Sequence, residues 1–420
     1  MIGEYNPYLE YRGGELYLEE VSLKSLAEEF GTPLYVYSAS YVRDRLRAYR
    51  EAFPDALVCY AVKANYNPHI IALAKEEGAG ADIVSGGELY VSLLAGVEPS
   101  KIVYAGVGKT LKELEYAVDL EILLFNVESP MELEVLDQVA QKMGKKARVA
   151  IRVNPDVDPK THPYISTGMK KSKFGVDIKT ARKEYEQARR LKNLCVVGIH
   201  CHIGSQILDV SPYVEASQKV VELYWELLKA GFDIEYLDLG GGLGIKYKPD
   251  QSNPEPADLA EAILPVVKDT RAKLILEPGR SVVGNAGVLL TQVQFLKDKG
   301  HKHFVIVDAG MNDLVRPAMY SAYHHIVPVE KKDRPYVKTD VVGPICETGD
   351  FLALDREIPA VERGEYLAVL SAGAYGFAMS SHYNLRPRAC EVLVEGSSYR
   401  VIREREDYSH LVGELLPKKP

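Results

Sequence analysis

From about residue 40 to residue 280, short apolar runs rich in Val, Ile and Leu alternate with longer stretches whose apolar residues recur at helical spacing among Glu, Lys and Arg. Such alternation predicts repeated strand–helix units. The runs place eight strands, at residues 56–61, 80–84, 101–105, 121–126, 148–153, 196–201, 235–240 and 273–277. Periodicity alone would also allow a doubly wound open sheet, but eight units over a span near the ~250 residues of a (β/α)8 barrel favour the closed TIM-like fold. The nearly unbroken apolarity of residues 147–153 suits a parallel strand covered on both faces. In such a barrel the chemistry gathers on the loops that follow the strands.

After Arg280 the texture changes to β-rich segments at 288–295, 303–307, 337–342, 366–371, 390–394 and 399–403, which predict a second, C-terminal β-sheet or β-barrel domain. Residues 8–18 read as strand, turn at Gly13-Gly14, and strand, and are expected to join that β domain. The expected organisation is a segment at 1–35 belonging to the β domain, a barrel at 36–280 and the β domain at 281–420. Residues 153–174, with Pro155, Pro159 and Pro163, read as a long irregular loop. Loops of that kind in compact proteins are more often functional than idle.

Composition narrows the partners. The 420 residues are 46% apolar, enough for a sizeable core, and the formal charge of -8 comes from scattered residues, without the clustered Lys and Arg of a nucleic-acid footprint. A small-molecule ligand is expected. The N-terminus does not combine a basic flank, an apolar run and a small-residue cleavage site, and no apolar stretch is long enough for a bilayer, so the expected location is cytoplasmic, with no membrane partner. The five cysteines, Cys59, Cys195, Cys201, Cys346 and Cys390, are odd in number and lack CxxC spacing. Reduced thiols are expected, rather than a disulfide framework or a zinc site.

Four polar groups follow predicted strands. Lys63 lies just past the first, in Tyr60-Ala61-Val62-Lys63-Ala64-Asn65. A lysine in a loop is ordinarily solvated, but an amine shielded from water can condense with a carbonyl. The run His200-Cys201-His202-Ile203-Gly204-Ser205-Gln206 supplies imidazoles, a glycine and a hydroxyl. An imidazole there can stack on a ring and the serine can donate to a phosphate. A structural histidine pair is the plainer alternative. A metal would need a third ligand, none is evident nearby in sequence, and no metal is expected. Asp238-Leu239-Gly240-Gly241-Gly242-Leu243-Gly244 brings backbone amides where an anion could be cradled, and no long helix follows directly, as a dinucleotide fingerprint would require. Glu277-Pro278-Gly279-Arg280 adds a carboxylate able to keep a pyridine nitrogen protonated and a guanidinium for a phosphate or carboxylate. Each motif alone has a structural explanation. Together they are the four parts that a pyridoxal-phosphate site requires.

In this order the residues resemble the alanine-racemase-like barrel decarboxylases, the family that contains ornithine, arginine and diaminopimelate decarboxylases, over essentially the whole chain. The resemblance implies that Lys63 binds the cofactor covalently, His202 stacks on its ring and Glu277 meets its pyridine nitrogen. It further implies phosphate contacts from Ser205, Gly241, Gly242 and the amides around Gly279 and Arg280, and places Asp82 near the cofactor. In the β domain, Val342-Gly343-Pro344-Ile345-Cys346-Glu347-Thr348-Gly349-Asp350 carries the other half of the signature. Cys346 alone would pass for an inert buried thiol. The resemblance makes it the acid that protonates the α-carbon, supplied by the neighbouring subunit of a homodimer with shared active sites. Tyr375, in Gly373-Ala374-Tyr375-Gly376, matches a tyrosine that touches the phosphate and lines the substrate site.

Substrate choice rests on fewer positions. Glu347 stands where the resemblance gives the ornithine enzymes aspartate, Arg316 with Tyr320 fits a pair holding a distal carboxylate, and Arg280 resembles a further carboxylate ligand. A second amino-acid head needs a cation for its carboxylate and an anion for its ammonium. That combination favours meso-2,6-diaminopimelate, decarboxylated to L-lysine and carbon dioxide in the last step of lysine biosynthesis. Ornithine ends in an ammonium alone, and a buried arginine there would be a penalty. Ornithine-, arginine- and carboxynorspermidine-type decarboxylases of the same fold are the alternatives, along with a racemase, which would need an acid–base tyrosine opposite the lysine. A non-catalytic, antizyme-inhibitor-like regulator is another, but it is expected to have lost residues such as Lys63, His202, Glu277 or Cys346.

Overall fold

Eight short strands carry the apolar runs of the first half: Leu57–Ala61 (β1), Gly80–Ile83 (β2), Ile102–Tyr104 (β3), Leu124–Val127 (β4), Ala147–Asn154 (β5), Leu194–His200 (β6), Tyr236–Asp238 (β7) and Lys273–Leu276 (β8). Each pairs in parallel with the next, and β8 pairs with β1, which closes the barrel expected from the sequence. Cys59, Val103, Leu124, Ala150, Val197 and Ile275 fill the interior as one buried cluster. Three of the helices between the strands start at side-chain caps of this kind: Ser85 accepts from Glu88 N–H, Thr110 and Glu113 cap each other's backbone, and Ser129 accepts from Glu132 N–H.

The computed structural model describes residues 2–159, 168 and 173–413. Most of the proline-containing loop expected at 153–174 therefore lies outside the described residues. Contacts divide the chain into two units, one of residues 43–245 and 252–282, which holds the barrel, and one of residues 1–42, 246–251 and 283–420.

In the latter unit a sheet runs in the order Phe351–Pro359, Tyr336–Val342, His303–Val307, Gly287–Asp298, Leu34–Ser38, Cys390–Glu395 and Ser398–Arg403. Tyr366–Val369 also pairs with Gly287–Asp298, and Ile326–Pro328 with Tyr366–Val369. The N-terminal hairpin, Leu9–Arg12 with Glu15–Leu18, turns at Gly13 and Gly14, both at positive φ. Its Leu9, Leu16 and Leu18 share a core with Val288, Leu290, Val392 and Val394 of the sheet. Among the described residues of this unit, the two-residue strand Val21–Ser22 and three longer ones escaped the sequence reading. Leu34–Ser38 is buried at all five positions and so shows no alternation, Ile326–Pro328 is three residues long, and Phe351–Pro359 mixes Leu, Ala, Glu and Arg across register shifts. Among the described residues, no helix is long and apolar enough to cross a membrane.

Candidate active site

The buried polar residues of the barrel strands lie near their C-terminal ends, and there they converge. Asp82 lies in β2, Asn126 in β4, Arg152 in β5, His200 at the end of β6 and Asp238 at the end of β7, and Glu277 directly follows β8. All six are buried. Arg152, His200 and Asp238 stand side by side across paired strands. Lys63 sits in a single turn, Val62–Ala64, immediately after β1, and its amine lies 2.5 Å from Asp82 Oδ2.

This floor is arranged around Glu277. Asn126 Nδ2 donates to Asp238 Oδ2 at 3.0 Å and to Glu277 Oε1 at 3.3 Å, and His200 Nε2 lies 3.5 Å from Glu277 Oε2. Burial opposes a charge on Glu277, but His200, Lys63 and a hydrogen bond from Asp238 outweigh it, and the carboxyl is held well below the ordinary glutamate range. Asp238 moves the opposite way, driven up by burial and then by the charge on Glu277. Two adjacent carboxyls in a dry site cannot both ionise, so Asp238 keeps the proton and Glu277 the charge. His200 is pushed down by burial, so it faces Glu277 as a neutral ring. Asp82 is pushed up to about 7 by burial and then Glu277, with Lys63 opposing.

Above the floor, His202 Nδ1 accepts from the backbone N–H of Gly241 at 3.2 Å. His202 as a residue is half-buried. Burial of its ring, with Arg152 and Lys63 nearby, holds it well below the usual histidine value. A neutral ring with Nδ1 occupied has a fixed orientation. The Gly241 amide, expected to face a phosphate, is therefore directed to His202. Glycine is still required there, because a Cβ on Gly241 would fall 2.0 Å from the Glu277 carbonyl oxygen and one on Gly242 would fall 2.2 Å from that of Gly204. Buried Arg280 donates to Ser205 Oγ through Nε at 3.3 Å and NH2 at 3.1 Å. Gly279 precedes it, packed 3.0 Å from the Ala61 side chain as measured to a Cβ it lacks. The barrel thus brings together Lys63, Asp82, His202, Ser205, Gly241, Gly242, Glu277, Gly279 and Arg280.

The remaining candidates lie in the other unit. Arg316 and Tyr320 are the first and last residues of the short helix Arg316–Tyr320, a spacing that puts them on one face. Arg316 is buried and Tyr320 half-buried. Cys346 and Glu347 are exposed on a loop whose shape is set from beneath by buried Asp350, which accepts from Ile345 N–H and Met311 N–H, each at 2.6 Å. Cys346 N–H donates to Asn384 Oδ1 at 2.8 Å, and Tyr383 donates its hydroxyl proton to Glu347 Oε2 at 2.7 Å. Tyr375 has φ of 55°, a left-handed conformation that is costly for a tyrosine and concentrated at functional sites.

The residues present fit pyridoxal phosphate. An amine, an ionised buried carboxylate, a neutral ring of fixed orientation and a serine–arginine pair supply the groups it needs, and Asp82 Oδ1, Asn126 Oδ1 and both His200 nitrogens are buried without a hydrogen-bond partner. The sequence reading missed Asn126, and it did not see how His200 and Asp238 would act. The signal was available: each is a polar residue at the end of an otherwise apolar barrel strand. It also found no third ligand for a histidine-bound metal, whereas His200, Asp238 and Glu277 bring possible ligand atoms within 4.8 Å of one another. In that group both carboxylates already accept from Asn126, and no metal is assigned to it.

The sequence profile of the family described as "Pyridoxal-dependent decarboxylase, pyridoxal binding domain" matches residues 39–284. A diaminopimelate decarboxylase from Aquifex aeolicus is 70% identical over 98% of this chain and 98% of its own length. Among solved structures, diaminopimelate decarboxylase from M. jannaschii in co-complex with L-lysine superposes with a TM-score of 0.94 at 42% identity, over 99% of both chains. The Helicobacter pylori enzyme complexed with L-lysine gives 0.90 at 43%, over 93% of this chain and 98% of that one. With this similarity spanning both units, the chain belongs to the diaminopimelate decarboxylase family of pyridoxal-dependent enzymes.

Proposed function

We propose that this protein converts meso-2,6-diaminopimelate to L-lysine and carbon dioxide, the last step of lysine biosynthesis, using pyridoxal phosphate held in the barrel, and that it works as a cytoplasmic homodimer. The observation that carries the reading is the Lys63 amine, 2.5 Å from Asp82, in the mouth of a barrel whose floor keeps Glu277 ionised.

In this reading residues 36–280 form the cofactor domain, and 281–420 with 1–35 form the β domain. Lys63 would hold the cofactor covalently and release it to the substrate amine, Glu277 would hold a proton on the pyridine nitrogen, and His202 would cover the ring. Ser205, Arg280, Gly242, Gly279, the Gly241 segment and Tyr375 would surround the phosphate. When bound, the cofactor supplies the electron sink that lets the α-carboxylate leave. Cys346, exposed on its stapled loop, would deliver the proton to the α-carbon in the partner's site. Arg316, Tyr320 and Arg280 would meet substrate carboxylates and Glu347 the distal ammonium, a set suited to a substrate with two amino-acid heads. The L-lysine bound by the relatives has the head that this set would retain after decarboxylation.

The test is direct. The protein, loaded with pyridoxal phosphate, is given meso-diaminopimelate, ornithine or arginine, and lysine, putrescine and agmatine are measured. Lysine from the first alone supports the reading, and preference for either rival overturns it.

A further inference from the structure

Arg316 is a long, flexible cation at the start of a five-residue helix, yet its guanidinium is held on two sides. Its NH1 lies 2.9 Å from His324 Nε2, and the Tyr247 ring lies against it, 4.6 Å from the guanidinium carbon to the ring centroid. His324 is itself fully buried, edge-on to Tyr247, with ring centroids 5.4 Å apart at 81°. Its other nitrogen, Nδ1, lies 2.8 Å from the carbonyl oxygen of Leu370.

These partners determine the proton's position. A carbonyl oxygen only accepts, so Nδ1 must carry the hydrogen, and a guanidinium only donates, so Nε2 must offer its lone pair. His324 is therefore the neutral Nδ1–H tautomer, anchored to the strand-end backbone at Leu370 and accepting from Arg316. An imidazolium would turn an N–H against a guanidinium. Preorganising a carboxylate-binding arginine in this way removes the conformational cost that a free side chain would pay on binding.

We infer that His324 is a positioning residue for substrate selection, fixing the Arg316 guanidinium for the distal carboxylate of the substrate. The inference rests on the proposed role of Arg316 and deepens it. Tyr247 serves the same arrangement from the face of the guanidinium, and neither residue touches the reacting atoms.

Asparagine and glutamine separate positioning from mere structure at this site. His324→Asn keeps a donor near the Nδ1 position, able to bond Leu370, but cannot reach Arg316. His324→Gln places an acceptor near the Nε2 position. The measurements are kcat and KM for meso-diaminopimelate and Kd for L-lysine, with cofactor absorbance and thermal melting confirming a folded, loaded enzyme. His324→Asn is expected to raise KM and the lysine Kd by about 10- to 100-fold, the range for losing one hydrogen bond to a charged group, with kcat affected far less. His324→Gln is expected to recover most of the affinity. If His324→Asn binds as tightly as the parent, or if His324→Gln is equally impaired, the inference is overturned. Arg316→Ala serves as the reference: if it leaves KM and Kd unchanged, the role proposed for Arg316 fails, whereas weakened binding there with no effect of His324→Asn removes only the role of His324. Should His324→Asn fail to fold, Tyr247→Leu provides the second arm, with the same shift in KM expected and an unchanged KM counting against the inference.

Discussion

His200 Nε2 lies 3.5 Å from Glu277 Oε2 at the floor of the barrel, and both side chains are buried. His200 is one of the groups that hold Glu277 below its ordinary range against the effect of burial. Replacing His200 by leucine removes that contribution and leaves desolvation less opposed. The acid limb of the kcat profile is then expected to move to higher pH by about 1 unit. A pH–rate series on parent and variant checks this, and an unmoved limb would show that His200 only fills space.

Glu277→Gln tests the same carboxylate more severely. Glutamine keeps the shape but cannot hold a proton on a pyridine nitrogen by charge, and kcat should fall by about 10²- to 10³-fold, the scale for losing one preorganised electrostatic partner. Cofactor absorbance should persist, because Lys63 is untouched. Near-parental turnover would remove Glu277 from the mechanism.

The Cys346 loop takes its form from Asp350, which accepts two backbone hydrogens at 2.6 Å from beneath. Cys346→Ala is expected to retain the cofactor's visible absorbance while slowing or misdirecting protonation of the α-carbon, with kcat down by about 10²- to 10⁴-fold. Asp350→Ala should show a milder form of the same defect, because the thiol is present but its loop is unpinned. Stopped-flow kinetics with product analysis in deuterium oxide distinguish the two. Loss of cofactor in Cys346→Ala would contradict the assignment.

Buried Asp313 accepts from Gly310 N–H at 3.0 Å, and burial pushes its carboxyl up to about 7. The folded state thus holds a proton that an unfolded chain, with an aspartate near 3.9, has released. Between about pH 4 and pH 7 the folded form binds more protons, so this group makes stability fall as pH rises through that window. Asp313→Asn keeps an acceptor for Gly310 without a charge. It should raise the melting temperature at pH 8 more than at pH 5, corresponding to about 1–4 kcal/mol. Equal effects at the two pH values would show that the buried carboxyl is not the cause.

The barrel was legible because each of its strands is a short apolar run and each connection has helical spacing, and the candidate residues stood out because strand ends are where a barrel displays polar groups. The β unit was less so. Leu34–Ser38 pairs with Gly287–Asp298 and Cys390–Glu395, partners some 250 and 350 positions away, and a pairing of that range leaves no local trace. The support beneath the site was hidden for the same reason. Asn126 reads as an ordinary strand-end amide until the closed barrel sets it between Asp238 and Glu277, and His324 reads as half of a Tyr-His-His run until Leu370 and Arg316 fix its tautomer. The likeness to known decarboxylases supplied roles that the letters alone could not, above all the proton-donor role proposed for Cys346, whose loop carries no chemical signature beyond its thiol.

The proposed function rests on a covalent bond between Lys63 and the aldehyde of pyridoxal phosphate. Loaded enzyme is reduced with sodium borohydride, digested, and the peptides are mapped by mass spectrometry. A phosphopyridoxyl group is expected on the peptide containing Lys63, and no such label in Lys63→Ala, which should also lack visible absorbance and turnover. A label on a different lysine, or full activity in Lys63→Ala, would contradict the proposal.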